Sequence, residues 1–169
     1  MVQPAALPLY ASLWFYASLP PAFLVSWREL VQYGIAIGAV CLIGMACFLV
    51  FPTAVPSTLI DWDNHPGFGM LRGIDASGNA CPSLHVASAV FSALWLHRLC
   101  IEMGAQRPTL IINALWCLGI VYSTIATKQH VALDVLAGGV LGVVIALVSL
   151  RNRDWNCMRQ RATTSAGTT

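Results

Sequence analysis

The chain has 169 residues, of which 57% are hydrophobic and only 9% are charged, with a net charge of +2. Soluble domains carry about 25% charged residues. The composition therefore excludes intrinsic disorder and a coiled coil, and the lack of a basic stripe excludes a nucleic-acid binder. A mean hydropathy of +0.71 points instead to a small bundle of membrane helices.

Five apolar stretches are long enough to cross a bilayer, which needs about 17–25 apolar residues per helix. In lipid the backbone must satisfy its own hydrogen bonds, so these stretches are helices. In chain order they are Leu7–Val25, Tyr33–Phe51, Leu84–Ile101, Thr109–Ala126 and Val131–Leu150. The sequence thus predicts an all-α integral membrane helical bundle over residues 1–150, followed by a basic and then Ser/Thr-rich cytoplasmic tail over residues 151–169.

Two glycine pairs have the small-xxx-small spacing that lets helix backbones approach closely. They are Gly34-x-x-x-Gly38 in the second span and Gly138-x-x-x-Gly142 in the fifth. Both predict close helix packing. In the fourth span, Asn113 is expected to join helices by hydrogen bonds.

The distribution of positive residues predicts the orientation in the membrane. By span parity only Arg72 and Lys128 fall on one side, and the other side holds Arg28, Arg98, Arg107, Arg151, Arg153, Arg159 and Arg161. The arginine-rich side is therefore cytoplasmic, and the loops at 52–82 and 126–130 face outward together. This bias fits a bacterial inner membrane with a site on the periplasmic side.

The six cysteines show no paired metal-ligand spacing. Most of them are expected to be small buried hydrophobic residues, because they lie in or beside apolar runs: Cys41, Cys47, Cys100 and Cys117. Cys81 is the exception, since it lies close to the ionisable residues considered next.

Ionisable groups at the ends of membrane helices are costly and are therefore candidates for function. His130 and Asp134 are spaced i, i+4, which places them on one helix face. The carboxylate can accept one imidazole N–H and leave the other ring nitrogen as a base or nucleophile. His85 begins the third span on the same predicted side, and Lys128 precedes the fifth.

The segment Cys81–His85 has the pattern of a helix N-terminus, with Pro82 in the first turn and Asn79 or Cys81 as the cap. Such a terminus binds anions, and Ser83 adds a hydroxyl donor. Two helix starts with two histidines predict a phosphate pocket. One histidine would attack phosphorus and the other would protonate the leaving oxygen, with no metal or other cofactor required.

Two motifs carry a resemblance to a known family. P-S-L-H at Pro82–His85 and S-T-x5-H-x3-D at Ser123–Asp134 resemble the second and third signatures of the type 2 phosphatidic acid phosphatase superfamily, P-S-G-H and S-R-x5-H-x3-D. Leu84 and Thr124 at the variable positions resemble the inositol-phosphorylceramide-synthase-like (inositolphosphotransferase) branch. The resemblance covers roughly residues 51–150.

The resemblance implies a lipid phosphate substrate, handled among membrane lipids. It makes His130 the nucleophile, Asp134 the carboxylate that orients it, His85 the general acid and Ser83 a phosphate ligand. The acceptor would be water in a phosphatase and a hydroxyl in a transferase.

Three departures from the family pattern stand out. The K-x6-R-P signature is not visible, and the nearby candidates for part of its role are Phe51-Pro52-Thr53 and Arg72. Thr124 cannot replace an arginine fork, so Lys128 is expected to supply that charge, with Thr124 as a further substrate-binding residue. The family usually has six helices, and the sixth is expected to be missing from the N-terminus.

Two other classes of function stay open. His85, His130 and Asp134 could instead bind zinc in a membrane hydrolase. Alternatively, the chain could be a non-catalytic membrane protein of the same fold that has lost the basic signature.

Overall fold

The computed structural model describes residues 6–51, 81–126 and 132–166, with side chains as far as residue 153. These ranges contain five α-helices and no strand, which confirms the predicted all-α class. In chain order the helices are α1 (Leu7–Ala22), α2 (Trp27–Val50), α3 (Leu84–Glu102), α4 (Arg107–Ala126) and α5 (Ala132–Ala166).

Four of these helices are long and apolar enough to cross a membrane: α2, α3, α4 and the part of α5 from Ala132 to Arg153. The predicted first span, Leu7–Val25, was too long, because α1 has only 16 residues and ends at Ala22. Pro20 and Pro21 occupy its last turn, and since proline has no backbone N–H, the carbonyls of the preceding turn lose their helical donors. The Ala17 carbonyl accepts a 3.1 Å hydrogen bond from the Tyr33 hydroxyl instead.

At the other end of the chain, the predicted helix was too short. The predicted fifth span ended at Leu150, but α5 continues through the polar segment to Ala166. Residues 151–166 contain neither glycine nor proline. The end of the apolar run therefore does not end the helix. Hydropathy locates the membrane boundary, whereas helix termination needs a separate signal.

Helix α3 is the centre of the bundle and packs against α1, α2, α4 and α5. It separates two groups of buried side chains. One lies toward α1 and α4 and includes Tyr16, Leu96 and Ile120. The other lies toward α2 and α5 and includes Tyr33 and Trp95, whose rings meet edge to face at 5.2 Å.

The glycine pair in α5 makes the close contact that its spacing predicts. A β-carbon at Gly138 would collide with the carbonyl oxygen of Ser83, and one at Gly142 would lie 2.5 Å from that of Ala87. The pair in α2 behaves differently. No described atom lies within 4 Å of a β-carbon built at Gly34 or Gly38, so the prediction of close packing there was wrong.

Asn113 joins three helices, as expected. Its Oδ1 accepts a 2.6 Å hydrogen bond from the Tyr16 hydroxyl of α1, and its Nδ2 donates to the Ala93 carbonyl of α3 at 3.0 Å.

The prediction that the cysteines are buried holds for Cys100 and Cys117, but Cys41 is exposed on α2.

A charged cluster closes the end of the bundle where α2 begins and α3 ends. Arg153 of α5 lies 2.8 Å from carboxylate oxygens of both Glu29 and Glu102. Arg98 makes a 2.8 Å ion pair with Glu102 on the surface. The Arg153 guanidinium also lies 5.9 Å from the Trp95 ring centroid. These arginines therefore lie at the end opposite the start of α3, in line with the parity argument.

Candidate active site

The N-terminal ends of α3 and α5 lie side by side. The backbone N–H of Ser83 donates a 3.0 Å hydrogen bond to the backbone carbonyl of Asp134. Gly138 lies one turn after Asp134, and its lack of a side chain leaves room for the backbone of Ser83. The second and third signature motifs are thus joined directly through main-chain atoms.

Ser83 is the N-cap of α3. Its backbone is extended, and its Oγ accepts a 3.4 Å hydrogen bond from the Val86 N–H. The alternative that Cys81 caps the helix was wrong, and Asn79 lies outside the described residues. Serine is among the residues that cap best. The side chain of Ser83 is fully buried, where α3 and α5 meet.

Asp134 lies in the first turn of α5 and is only 4% exposed. The thiol of Cys81 donates a hydrogen bond to its carboxylate. Burial and then the negative charge of Asp134 raise the pKa of the Cys81 thiol. The carboxylate assigned to orient His130 is therefore in contact with the segment that carries His85. Sequence reasoning singled out Cys81 by position but did not identify this partner.

His85, half-buried in the first turn of α3, has a partner on α1. The hydroxyl oxygen of Tyr10 lies 3.3 Å from His85 Nδ1, at hydrogen-bond distance. The two rings are stacked, with centroids 4.5 Å apart and planes at 27°. Sequence reasoning missed Tyr10 entirely. It lies 75 residues away in an apolar helix, with no local pattern that distinguishes it from a core tyrosine.

Leu84, which stands where the family signature has glycine, packs against Gly44 of α2. A β-carbon at Gly44 would meet the end of the Leu84 side chain. The larger residue in the motif is therefore accommodated by a missing side chain on the neighbouring helix.

Thr124, which stands where the family signature has arginine, is fully buried near the end of α4. Its hydroxyl donates a 2.8 Å hydrogen bond to the Val121 carbonyl one turn earlier. Neighbouring Ser123 bonds to Ile120 in the same way, at 2.6 Å. Both hydroxyls thus satisfy carbonyls of their own helix.

Three predicted site residues lie outside the described residues: His130, Lys128 and Arg72. The i, i+4 pairing of His130 with Asp134 therefore stays a prediction. Among the described residues, no three His, Cys, Asp or Glu side chains form a group that could hold a metal ion.

The described helices and their apolar outer faces define an integral membrane protein of the helical-bundle class. The chain belongs to the PAP2 superfamily, whose family model matches residues 26–157. This match includes all of α2, so it extends further toward the N-terminus than the motif resemblance. It supports a phosphatase-type function on lipid phosphates in general terms. No curated protein and no solved structure matches the chain.

Proposed function

We propose that the chain is a membrane phosphoesterase or phosphotransferase that acts on lipid phosphates through a phosphohistidine intermediate. One observation carries the proposal: the 3.0 Å hydrogen bond from Ser83 N–H to the Asp134 carbonyl, which brings the two signature motifs together. In the family pattern these motifs supply the general acid and the carboxylate behind the nucleophile. Here they meet at one end of the bundle.

In the first half-reaction, a ring nitrogen of His130 attacks phosphorus. The bond from phosphorus to the leaving oxygen breaks, and His85 donates a proton to that oxygen. Asp134 accepts the remaining N–H of His130, which orients the ring and stabilises its positive charge. Ser83, Lys128 and Arg72 bind the phosphate group, the last two through positive charge. Thr124 joins them by turning its hydroxyl from the Val121 carbonyl to the phosphate.

In the second half-reaction, an acceptor hydroxyl gives its proton to His85 and attacks phosphorus. The phosphorus–nitrogen bond breaks and both histidines return to their starting states. Water as the acceptor makes the chain a phosphatase, and a lipid or polyol hydroxyl makes it a transferase. Leu84 and Thr124 at the variable motif positions support the inositolphosphotransferase-like branch. The chemistry needs no metal and takes place on the outer face of a bacterial inner membrane.

The test is a brief incubation of the purified protein with a ³²P-labelled lipid phosphate. We expect an acid-labile protein label in the wild type and none in His130→Ala. With a ³²P-labelled nitrophenyl phosphate, whose phenolate leaves without a proton, label should accumulate in His85→Ala, because the second half-reaction lacks its base. His97→Ala, at the other end of α3, is the matched control and should label like the wild type.

Three results would contradict the proposal. Undiminished labelling of His130→Ala would remove the assigned nucleophile. Activity lost to a chelator and restored by zinc would favour the zinc hydrolase. A wild type that neither releases phosphate nor takes up label would favour the non-catalytic protein.

A further inference from the structure

We propose that Tyr10 of α1 is a positioning residue that holds the His85 imidazole for proton transfer to the leaving oxygen. The inference rests on the proposed function, in which His85 is the general acid. It concerns a helix that lies outside residues 26–157, the part of the chain matched by the family.

Two contacts between these rings restrict different motions of the imidazole. The 3.3 Å contact between the Tyr10 hydroxyl and Nδ1 fixes which ring edge faces α1. The stack, at 4.5 Å and 27°, fixes the plane of the ring. Tyr10 is itself only 7% exposed, so its own ring is held by packing. A buried aromatic ring is a rigid support for a side chain that has two rotatable bonds.

The hydrogen bond also decides which nitrogen does the chemistry. When the Nδ1–H of His85 donates to the Tyr10 oxygen, Nε2 is the nitrogen that loses and regains a proton. In the first half-reaction the Nε2 proton moves to the leaving oxygen, and His85 becomes neutral with its Nδ1–H still on Tyr10. In the second half-reaction Nε2 takes the proton of the acceptor hydroxyl.

The contact also gives α1 a role in the site. By length α1 is the shortest of the five described helices, and it packs on α3 and α4. Through Tyr10 it reaches the first turn of α3, where His85 lies. A role confined to packing would need the ring of Tyr10 but not its hydroxyl, and this difference can be measured.

The experiment compares Tyr10→Phe, which removes only the hydroxyl, with Tyr10→Leu, which also removes the stack, in the full-length purified protein. Tyr16→Phe is the matched control, since Tyr16 is another buried tyrosine of α1 and its hydroxyl bonds to Asn113, away from His85. The rate of the first turnover, which forms the phosphohistidine, is measured for each protein on a short-chain phosphatidic acid, whose alkoxide needs a proton to leave, and on a nitrophenyl phosphate, whose phenolate does not.

We expect Tyr10→Phe to lower the first-turnover rate on the phosphatidic acid about 10-fold, and Tyr10→Leu to lower it by about 100-fold, which is no more than the roughly 10²–10⁴-fold that general acid catalysis supplies. The KM should be unchanged, and nitrophenolate should be released in the first turnover at close to the wild-type rate, because that step needs no proton donor. Tyr16→Phe should affect both esters equally. In a His85→Ala background, Tyr10→Phe should have no further effect, because its partner is gone.

Equal losses of Tyr10→Phe on the two esters, or losses that add to those of His85→Ala, would overturn the inference. The labelling assay separates this failure from that of the proposed function. If the wild type forms the acid-labile label but Tyr10→Phe turns over both esters at the wild-type rate, only the role of Tyr10 is refuted. If the wild type forms no label, both fall together.

Discussion

The backbone N–H of Ser83 donates a hydrogen bond to the backbone carbonyl of Asp134 across 3.0 Å, and so joins the starts of α3 and α5. Main-chain atoms have no rotamers, so the relative position of the two helices does not depend on a side-chain conformation. Asp134 begins the helical turn of α5 that ends at Gly138. Because Gly138 has no side chain, the backbone of Ser83 can lie close to this turn.

The first prediction concerns that approach. Gly138→Ala should destabilise the protein by about 1–3 kcal/mol, because its methyl group would overlap the Ser83 carbonyl, which belongs to the backbone and cannot rotate away. Lipid-phosphate hydrolysis should fall with it, since Ser83 and Asp134 are pushed apart. Thermal unfolding in detergent measures the first effect and phosphate release measures the second.

Gly34→Ala is the control for this prediction, because no described atom lies within 4 Å of the added carbon. Alanine is a better helix former than glycine by about 1 kcal/mol, so this variant should be as stable as the wild type or more so. Equal melting temperatures for the two variants would contradict a close contact at Gly138.

The second prediction concerns the pair of Leu84 and Gly44. Gly44→Ala should cost about 1–3 kcal/mol, because the new methyl group meets the end of the Leu84 side chain. In a Leu84→Ala background the same change should cost less, since the conflicting atoms have been removed. A double-mutant cycle on the unfolding free energy measures the coupling, and a coupling of zero would show that the two residues do not oppose each other.

The third prediction concerns the charged cluster at the opposite end. The side chain of Arg153 is 11% exposed, and those of its partners Glu29 and Glu102 are 23% and 34% exposed. Arg153→Met should cost about 1–3 kcal/mol, between the values for exposed and fully buried ion pairs, because it leaves two carboxylates together without their cation. Chemical denaturation would measure this loss.

Arg98→Met is the matched control, because Arg98 forms an ion pair with the carboxylate of Glu102, as Arg153 does. The side chain of Arg98 is 44% exposed, so the loss should be at most about 1 kcal/mol. The initial rate of phosphate release should stay near the wild-type value in both variants while they are folded, because the cluster lies far from the start of α3. A larger loss for Arg98 than for Arg153 would be inconsistent with the burial difference.

The fourth prediction concerns the thiol of Cys81, whose pKa is raised by burial and by the charge of Asp134. A raised pKa means that the reactive thiolate forms only at higher pH than in an ordinary cysteine. In a variant that keeps Cys81 as its only cysteine, maleimide labelling should therefore begin at higher pH than in the same protein unfolded by detergent.

Asp134→Asn removes the negative charge but keeps the size of the side chain. It should move the labelling curve of Cys81 to lower pH, because the thiolate no longer faces a carboxylate. Labelling rates at a series of pH values test both statements. Superimposable curves for the folded and unfolded protein would refute the contact.

Part of the candidate site could be predicted from the sequence. Pro82–His85 and Asp134 were placed on one side by counting spans, and the contact between Ser83 and Asp134 agrees with that parity. The count works because each apolar run forms a helix on its own hydrogen bonds, and successive helices must then alternate in direction.

The side-chain partners could not be predicted. Tyr10 against His85, Cys81 against Asp134 and Leu84 against Gly44 join residues that are distant in the chain and that no periodicity connects. The same limit applies to the two glycine pairs. They have identical spacing, but only the pair in α5 meets another backbone among the described residues.

The amino-acid sequence by itself determined that this protein is a bundle of membrane helices, and which end of each helix carries the polar groups. Hydropathy and chain direction are local properties, and they are sufficient for both. Only the tertiary structure decided which side chains touch across that end. Lateral contacts between helices depend on how the surfaces of all the helices fit together at once, and no single segment contains that information.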